Sequence, residues 1–244
     1  MTALGGGIWR VTSRGRELVV KSGPAAPDEA QGLRQLGAVS GAPPVPEVLV
    51  ATDDLLVEAW VTQGPRTHAQ EEGLGRALAG LHAADWDTWG GGSGWIGPCR
   101  VDPRPTPDAA AFYGHRLGEL AGRCGLVAPV AGVVDRLGEL IPPGPPALVH
   151  GDLWWGNVLW GSDGRAWLID PSTHGGHPEE DLAMLGLFGS VPEGLFRAYD
   201  EARPLAEGWR RRIALFQLYP LLVHAVAFGG GYRAQAEAIA RRFS

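Results

Sequence analysis

The segment HGDLWWGN, residues 150–157, decides the fold that we predict for this chain. It places an acid, Asp152, and a carboxamide, Asn157, five residues apart, with two tryptophans between them. A second acid, Asp170, ends the apolar run of residues 166–169 shortly afterwards. These polar groups can act together only if the chain between them brings them to one place.

The chain that connects them has the pattern of a β-hairpin. Two apolar runs flank the turn sequence GSDG at residues 161–164, which is typical of two antiparallel strands joined by a short loop. We expect Trp160 to pair with Arg165, which places Asn157 opposite about Leu168. The open end of this hairpin then carries polar side chains from both strands.

Three oxygen-bearing side chains therefore converge on one mouth. Asn157 and Asp170 lie at the open end of the hairpin, and Asp152 lies on the loop that enters it. Carboxylate and amide oxygens suit Mg²⁺, which takes few protein ligands and shares its coordination shell with phosphate. The spacing predicts a Mg²⁺–phosphate site.

Composition excludes several classes of function. The 244 residues carry a formal charge of -6, which argues against non-specific binding to nucleic acid or to an anionic membrane. Two cysteines make neither a disulfide framework nor a Cys-rich metal site. The longest apolar stretch, residues 213–228, contains polar residues and a proline and predicts a buried helix rather than a membrane span. No secretory leader is evident, so we expect a cytoplasmic protein.

Lys21 is the only lysine beside 20 arginines. It ends the strand-like run of residues 17–20. A compact ammonium fits a tight phosphate site in which a guanidinium fork would not fit. Taken alone, the residue is as compatible with a surface position as with a functional one.

The order of the predicted elements indicates two lobes. Residues 1–62 have the order β-β-α-β-β, with Glu29 on the helix, and we assign them to a nucleotide-binding N-lobe. Residues 63–244 are mainly helical apart from the hairpin, and we assign them to a C-lobe that holds the catalytic loop, the metal site and the acceptor pocket. The predicted helices cover residues 69–84, 108–125, 129–140, 179–187, 207–228 and 232–242.

This set matches the phosphoryl-transfer pattern of kinases. In that pattern an H-x-D-x-x-x-x-N loop supplies a base and a metal ligand, and an acid at a later strand end supplies the second ligand. An upstream strand lysine pairs with a helix glutamate. Asp152, Asn157, Asp170, Lys21 and Glu29 fill these five roles in the right order.

Three longer segments make the resemblance more specific. HGDLWWGNVL, LIDPSTHGGHPEEDLAMLGLFG and FQLYPLLVHAVAFGGGY are similar to the fructosamine kinase (ketosamine 3-kinase) family, in the aminoglycoside phosphotransferase-like branch of the kinase fold. Residues 94–98, GWIGP, resemble that family's Asn-aromatic-Ile-Gly segment, and residues 29–33 resemble its Glu-x-x-Gly-Leu helix. The similarity runs along nearly the whole chain. It implies a two-lobed α+β fold of the protein-kinase type.

The resemblance implies an ATP-dependent kinase that phosphorylates the 3-hydroxyl of a ketosamine, such as a fructosamine or ribulosamine, in deglycation repair. Asp152 would accept the hydroxyl proton or orient the nucleophile. Asn157 and Asp170 would hold Mg²⁺ on the ATP phosphates, and Lys21, oriented by Glu29, would neutralise phosphate charge. The acceptor is expected to be a small ketosamine or a glycated protein amine.

Other residues receive roles by the same resemblance. The Gly5-Gly6-Gly7 turn is assigned to the nucleotide, and the backbone of Glu58, Ala59 and Trp60 to its adenine. Two further assignments concern the acceptor and the support of the loop. Trp154 and Trp95 are assigned to the acceptor, and His150 and Asp181 to structural support.

Two departures from the family qualify these roles. Only four residues precede Gly5, so we expect the N-lobe to lack the first strand that the family carries. Trp155 stands where a smaller or polar residue is common, which predicts a narrower acceptor pocket. The first departure bears on nucleotide affinity and the second on the acceptor.

Two alternative functions stay open on the sequence. The first is a kinase of another small-molecule hydroxyl, carried by an aminoglycoside, an amino alcohol or a sugar. The second is a non-catalytic nucleotide-binding module, which would be expected to lack a metal ligand or the catalytic acid. The sequence leaves the oligomeric state open.

Overall fold

The computed structural model describes residues 1–244. Its amino-terminal part is an antiparallel sheet of five strands in the order β1-β2-β3-β5-β4, and helix α1 packs on the sheet. The elements of this part are β1 Thr2–Gly5, β2 Ile8–Ser13, β3 Arg16–Ser22, α1 Ala26–Gly37, β4 Val48–Ala51 and β5 Leu55–Ala59.

The rest of the chain is mainly helical. Its helices are α2 His68–Leu81, α3 Ala109–Cys124, α4 Val127–Leu140, α5 Glu179–Leu185, α6 Glu193–Ala202, α7 Trp209–Phe228 and α8 Gly231–Phe243. Its strands are short: β6 Gly90–Gly92, β7 Trp95–Ile96, β8 Cys99–Arg100, β9 Ala147–Val149, β10 Val158–Trp160, β11 Ala166–Leu168 and β12 His174–Gly176. The predicted α+β fold with a small sheet lobe and a larger helical lobe is confirmed. The division at residue 62 remains our proposal.

The short strands position the segment from which the sequence analysis began. Strand β12 lies between β6 and β9 in a three-stranded sheet. All three residues of β9 are buried, and His150 follows directly at its end. The HGDLWWGN segment therefore leaves a fixed, buried strand, and a 3₁₀ turn at Trp155–Asn157 leads it into β10.

The expectation that the first strand is missing is wrong. Residues Thr2–Gly5 form β1, which pairs with β2 through Thr2–Arg10 and Ala3–Trp9. Four residues are enough because the Gly-rich turn reverses the chain sharply: Gly5, Gly6 and Gly7 all have positive φ angles, which cost a glycine little. The sheet therefore has five strands, of which β1 is short and exposed.

The predicted hairpin forms with a register that differs by one residue. Val158 pairs with Leu168 and Trp160 with Ala166, so Asn157 lies opposite Ile169, whose N–H donates to the Asn157 carbonyl (3.1 Å). The turn contains one residue more than predicted, and within it the Asp163 carboxylate accepts a hydrogen bond from the Arg165 N–H (3.1 Å). A shift of one residue exchanges the faces of a strand, and the observed register buries Val158 and Leu168.

Helix α6 was not predicted. It lies beyond a stretch that contains Gly186, Gly189 and Pro192 and reads as a loop. Its buried residues recur at helical spacing: Leu195, Phe196, Ala198 and Tyr199. It packs against α2 in the second of two apolar cores of the helical lobe.

The glycine triplet Gly229-Gly230-Gly231 marks the break between the last two helices. Helix α7 ends at Phe228, and α8 begins at Gly231. No helix combines the length and the apolar character that crossing a membrane requires.

Candidate active site

A buried carboxylate fixes the backbone at the start of the HGDLWWGN segment. Asp181, on α5, is fully buried and accepts hydrogen bonds from the N–H groups of His150 (2.7 Å) and Gly151 (2.9 Å). The ring Nε2 of His82 lies 3.0 Å from the same carboxylate. Burial raises the pKa of Asp181, but these bonds outweigh it and hold the pKa below its usual range. The loop backbone is therefore fixed by a charged group that stays ionised.

His150 joins the loop to the end of the hairpin. Its Nε2–H donates to the Ile169 carbonyl (3.0 Å), and its Nδ1 accepts from the N–H of Asp152 (3.3 Å). Burial lowers the pKa of His150, so the ring is a neutral connector between Asp152 and Asp170. The geometry agrees with a supporting residue rather than with a general base.

Asp152 lies in the wall of a cavity beside Asn157 and Asp170. Its backbone carbonyl and its carboxylate accept from the side-chain amide of Asn157 at 2.8 and 3.3 Å. Burial, together with the negative charge of Asp170, raises the pKa of Asp152 to about 7. A carboxylate with a pKa near neutrality can take a proton effectively at neutral pH.

Lys21 lies among three carboxylates. Its Nζ forms ion pairs with Glu29, with Asp170 and, at 3.0 Å, with Glu58. Burial alone lowers the pKa of the ammonium, but the three negative charges raise it well above its usual value. Burial raises the pKa values of Glu29 and Glu58. The cluster thus contains one cation and three carboxylates, so its charge can accommodate a further cation.

Asp170 has an unusual backbone conformation. Its φ is +54°, and Arg14 is the only other non-glycine residue with a positive φ. Left-handed conformations are uncommon outside glycine, although Asp and Asn adopt them more readily than most residues. The chain turns sharply at the hairpin exit, and the partly exposed carboxylate reaches Lys21 on the other lobe.

The donor set fits Mg²⁺ held together with phosphate. The Asn157 amide nitrogen is engaged by Asp152, which leaves the Asn157 oxygen available as a ligand beside the Asp170 carboxylate. No group of three or more His, Cys, Asp or Glu side chains is arranged to hold a metal. Two protein oxygens plus phosphate oxygens are what Mg²⁺ favours, whereas a metal held by protein alone would need more ligands.

Two adjoining cavities meet at these groups. The larger has a volume of about 530 Å³ and contains Asp152, Asn157 and Asp170 in its wall. The smaller, about 450 Å³, lies under the Gly-rich turn and is lined by Gly6, Gly7 and Lys21. The residues that line both cavities are Ala25, Glu29, Trp95, Gly97, Pro98 and Asp170.

The larger cavity has an aromatic wall opposite the acids. The wall contains Trp154, Phe188, His224, Phe228 and Tyr232. Phe188 is its centre, with ring centroids 5.8 Å from Trp154, 5.0 Å from His224 and 6.2 Å from Tyr232. The His224 Nδ1–H donates to the Pro220 carbonyl (2.7 Å), which leaves its Nε2 as an acceptor.

The structure brings most of the predicted site residues together. Trp95 and Trp154 line the larger cavity, and Gly5 belongs to the turn above the smaller one although it does not line it. Trp155 does not line either cavity. Its ring packs on Trp160, with centroids 6.0 Å apart, and beneath the Arg66 guanidinium, so the prediction that it narrows the acceptor pocket is wrong.

The segment assigned to adenine differs from expectation in two respects. The N–H groups of Ala59 and Trp60 donate within the sheet, to Glu47 (3.0 Å) and Glu17 (3.1 Å). The N–H of the next residue, Val61, has no backbone acceptor and is a candidate donor to a base. The Glu58 side chain, which was given no role, is buried against Lys21.

Sequence reasoning missed further residues that shape the site. His82 received no functional role from the sequence, yet it is buried with its Nε2 3.0 Å from the Asp181 carboxylate. Phe188 and His224 received no role, although the segments that contain them were quoted for the family resemblance. The only available signal was the density of aromatic residues near the ends of α5 and α7.

The chain matches a known protein family along most of its length. A sequence model of the fructosamine kinase family matches residues 24–243. A protein named as a probable ketoamine kinase from Synechocystis is 35% identical over 227 residues, which cover 86% of this chain and 75% of that protein.

Solved structures agree with the sequence comparison. A crystal structure assigned as a fructosamine-3-kinase from Thermobifida fusca is 42% identical with a TM-score of 0.89, covering 96% of this chain and 88% of that one. The macrolide 2'-phosphotransferase of Brachybacterium faecium shares the fold with a TM-score of 0.63 at 18% identity, covering 97% of this chain and 89% of that one.

Proposed function

The chain belongs to the fructosamine kinase family, and on this basis we propose that it transfers the γ-phosphoryl group of ATP to the 3-hydroxyl of a ketosamine. The observation that carries the proposal is the meeting of Asp152, Asn157, Asp170 and Lys21 where the two cavities join. One cavity is suited to the ATP phosphates and the other to an acceptor. The reaction then takes place at their boundary.

Asp152 is the proposed proton acceptor. As the acceptor oxygen forms its bond to the γ-phosphorus, the bond from that phosphorus to the β,γ-bridging oxygen breaks and ADP leaves. The hydroxyl proton passes to the Asp152 carboxylate, whose raised pKa favours this transfer near neutral pH. Asn157 holds the carboxylate in place through its amide N–H.

Lys21 is the proposed partner of the phosphates. Its ammonium is buried and kept charged by three acids, so it can neutralise phosphate charge without first losing water. Asn157 and Asp170 would hold the Mg²⁺ that accompanies ATP. The ion would offset the negative charge of the phosphate oxygens during phosphoryl transfer.

The aromatic wall distinguishes between acceptor classes. Aminoglycosides carry several ammonium groups and need several carboxylates. The acids in the larger cavity are Glu29, Asp152 and Asp170, and all three are engaged in the proposed chemistry. Aromatic faces instead suit a single protonated amine with an apolar substituent, as in a ketosamine formed on a lysine side chain.

The product explains a role in repair. A ketosamine 3-phosphate is prone to eliminate its phosphate, which frees the amine and so reverses glycation. We propose deglycation of small ketosamines or of glycated protein amines as the cellular role. The predicted cytoplasmic location fits this role and stays a prediction.

One assay tests the proposal directly. ADP release is measured with fructosyl-lysine, ribulosyl-lysine, an aminoglycoside and choline as acceptors, with Mg·ATP saturating. We expect turnover with one or both ketosamines and none with a 3-deoxy ketosamine, since it lacks the accepting hydroxyl. Phosphorus NMR should place the phosphate on O3. Preferred turnover of choline or the aminoglycoside would refute the proposal in favour of another hydroxyl kinase.

A further inference from the structure

The segment of residues 93–98, here called the acceptor loop, forms a wall shared by both cavities. Trp95, Gly97 and Pro98 line the two of them. On the C-lobe side, the Ser172 hydroxyl donates to the Trp95 carbonyl (2.7 Å), and the Ser93 N–H donates to the Thr173 carbonyl (2.8 Å). The loop is therefore anchored beside the residues that follow Asp170.

Helix α1 of the N-lobe holds the other side of the acceptor loop. The Asp28 carboxylate, in the first turn of α1, accepts a hydrogen bond from the Gly94 N–H at 2.7 Å. The Ser93 hydroxyl oxygen lies 3.3 Å from the same carboxylate oxygen, and its closer acceptor is the Trp95 carbonyl at 2.8 Å. Hydrogen bonds to an ionised acceptor are about twice as strong as neutral ones, so this contact between the lobes is more than incidental packing.

Asp28 is followed directly by the residue that orients Lys21. Glu29 forms its ion pair with Lys21, so consecutive residues of one rigid helix contact the phosphate-binding lysine and the acceptor wall. Any shift of α1 moves both contacts together. Two sites joined through one rigid element can influence each other's affinity, and such an influence is reciprocal.

A second contact shows how closely α1 lies on the C-lobe. Gln35, seven residues and therefore about two turns after Asp28, receives a hydrogen bond from the Thr173 hydroxyl (2.7 Å). Between them, a Cβ added at Gly32 would meet the Pro171 side chain at 3.0 Å. The helix face that carries Asp28 is thus seated against the segment that follows Asp170.

We propose that Asp28 is a positioning residue that ties the acceptor loop to helix α1, so that nucleotide bound at Lys21 orders the acceptor pocket. The proposal rests on the proposed function for the identity of the two ligands. An acid near a helix start also has a simpler role, since it interacts favourably with the helix dipole. That role affects the stability of α1 and leaves the acceptor loop unchanged.

Hydrogen exchange of the acceptor loop distinguishes the two roles. Exchange in peptides that cover residues 90–98 is measured in the wild type and in Asp28→Asn, with and without Mg²⁺ and a non-hydrolysable ATP analogue. We expect the analogue to slow exchange in the wild type. In Asp28→Asn we expect faster exchange that the analogue no longer changes, because the amide replaces the charged acceptor of the Gly94 N–H.

Kinetics provide the second readout. We expect Asp28→Asn to raise the KM for the ketosamine about tenfold, as the loss of a hydrogen bond to a charged group would. The Kd of the ATP analogue, measured without acceptor, should stay within about twofold, because the coupling acts only when both sites are occupied. Asp28→Glu, which keeps the charge, should recover part of the loss. Gln35→Ala serves as the control, because it removes the other α1 contact and leaves the Gly94 bond in place.

Two results would overturn the proposal. Wild-type exchange and wild-type KM in Asp28→Asn would leave Asp28 as a helix-end charge only. An equally large loss of affinity for the ATP analogue in the absence of acceptor would mean that the change acts on Glu29 or on the fold. The exchange experiment needs no acceptor, so it judges Asp28 even if no ketosamine proves to be a substrate and the proposed function fails.

Discussion

The two cavities differ in what builds them. The phosphate side contains Asp170 and three charged groups that are largely withdrawn from water, with side-chain exposures of 10% for Lys21, 16% for Glu29 and 3% for Glu58. The acceptor side is apolar and open, with exposures of 38% for Trp154 and 64% for Phe228. One half is ordered by ion pairs and the other by contact between rings.

This difference predicts a difference in tolerance to mutation. A buried charge that loses its partner is costly, so the phosphate side admits few alternatives. Aromatic contacts add about 0.5–1.5 kcal/mol each beyond burial, and the loss of one ring leaves its neighbours in place. We therefore expect changes in the acids and the lysine to abolish chemistry, and changes in the aromatic wall to adjust selectivity.

The largest effect is expected at Asp170. Asp170→Ala removes both a partner of Lys21 and a proposed Mg²⁺ ligand, so turnover should fall below detection, and Asp170→Asn should come close to this. Circular dichroism and a thermal melt serve as the folding control. An Asp170→Ala enzyme with half of the wild-type rate would contradict the metal site.

Asp152→Asn should have the next largest effect. General-base catalysis contributes typically 10²–10⁴-fold, so kcat should fall by about that factor. Calorimetry should show almost unchanged Mg·ATP binding, because Asp152 acts on the acceptor. Lost ATP binding in a folded variant would mean that the role is misassigned.

The same carboxylate sets the expected pH dependence. A base must be ionised to accept a proton, and the pKa of Asp152 is raised to about 7. The rate should therefore fall as the pH drops below about 7, and log kcat/KM should approach a slope of one. A profile that is flat from pH 5 to 8 would exclude Asp152 as the titrating base.

Lys21→Arg tests whether the phosphate side tolerates a change of shape at constant charge. The planar guanidinium needs more room than the ammonium and would be misdirected within the three acids, so kcat/KM for ATP should fall on the order of 10²-fold. Mg·ATP should also protect the wild-type lysine from acylation, with the N-terminal amine as the internal reference. Near-normal activity without protection would leave Lys21 as a structural partner of the three acids with no contact to the phosphates.

Phe188→Ala tests the tolerance of the aromatic side. Phe188 contacts Trp154, His224 and Tyr232, so its loss should raise the KM for the ketosamine about tenfold, consistent with two or so aromatic contacts. The KM for ATP should not change. A fall of kcat by orders of magnitude would show that the two sides are not separable in this way.

The smallest effect on activity is expected at Trp155. Because its ring packs on Trp160 and Arg66 and lies outside the acceptor cavity, Trp155→Ser should leave the ketosamine KM within about twofold. It should lower the free energy of unfolding by about 2 kcal/mol, less than the 3–5 kcal/mol of a fully buried tryptophan. A large change in acceptor KM with unchanged stability would restore the narrower pocket that the sequence suggested.

What could be predicted from the sequence also differs between the two sides. The spacing of Asp152, Asn157 and Asp170 predicted one mouth because a short hairpin connects them, and local backbone geometry determines where such residues go. Even there, the pairing differed by one residue, since the additional residue in the turn and the Asp163 bond within it could not be predicted from the apolar pattern.

Features that depend on distant segments were not predictable. The Glu58 side chain received no role because a strand pattern does not show which face meets Lys21. Phe188 and His224 were missed because α5 and α7 bring them together only after the helices pack.

The sequence by itself determined the kinase-type fold, the family and the order of the charged residues that the chemistry needs. Only the tertiary structure decided which side chains form the acceptor wall, and that Asp28 reaches across to Gly94. The physical reason is that local polar motifs are set by the geometry of a few neighbouring residues. Contacts between residues far apart in the chain depend instead on how whole helices and sheets pack, which no local spacing records.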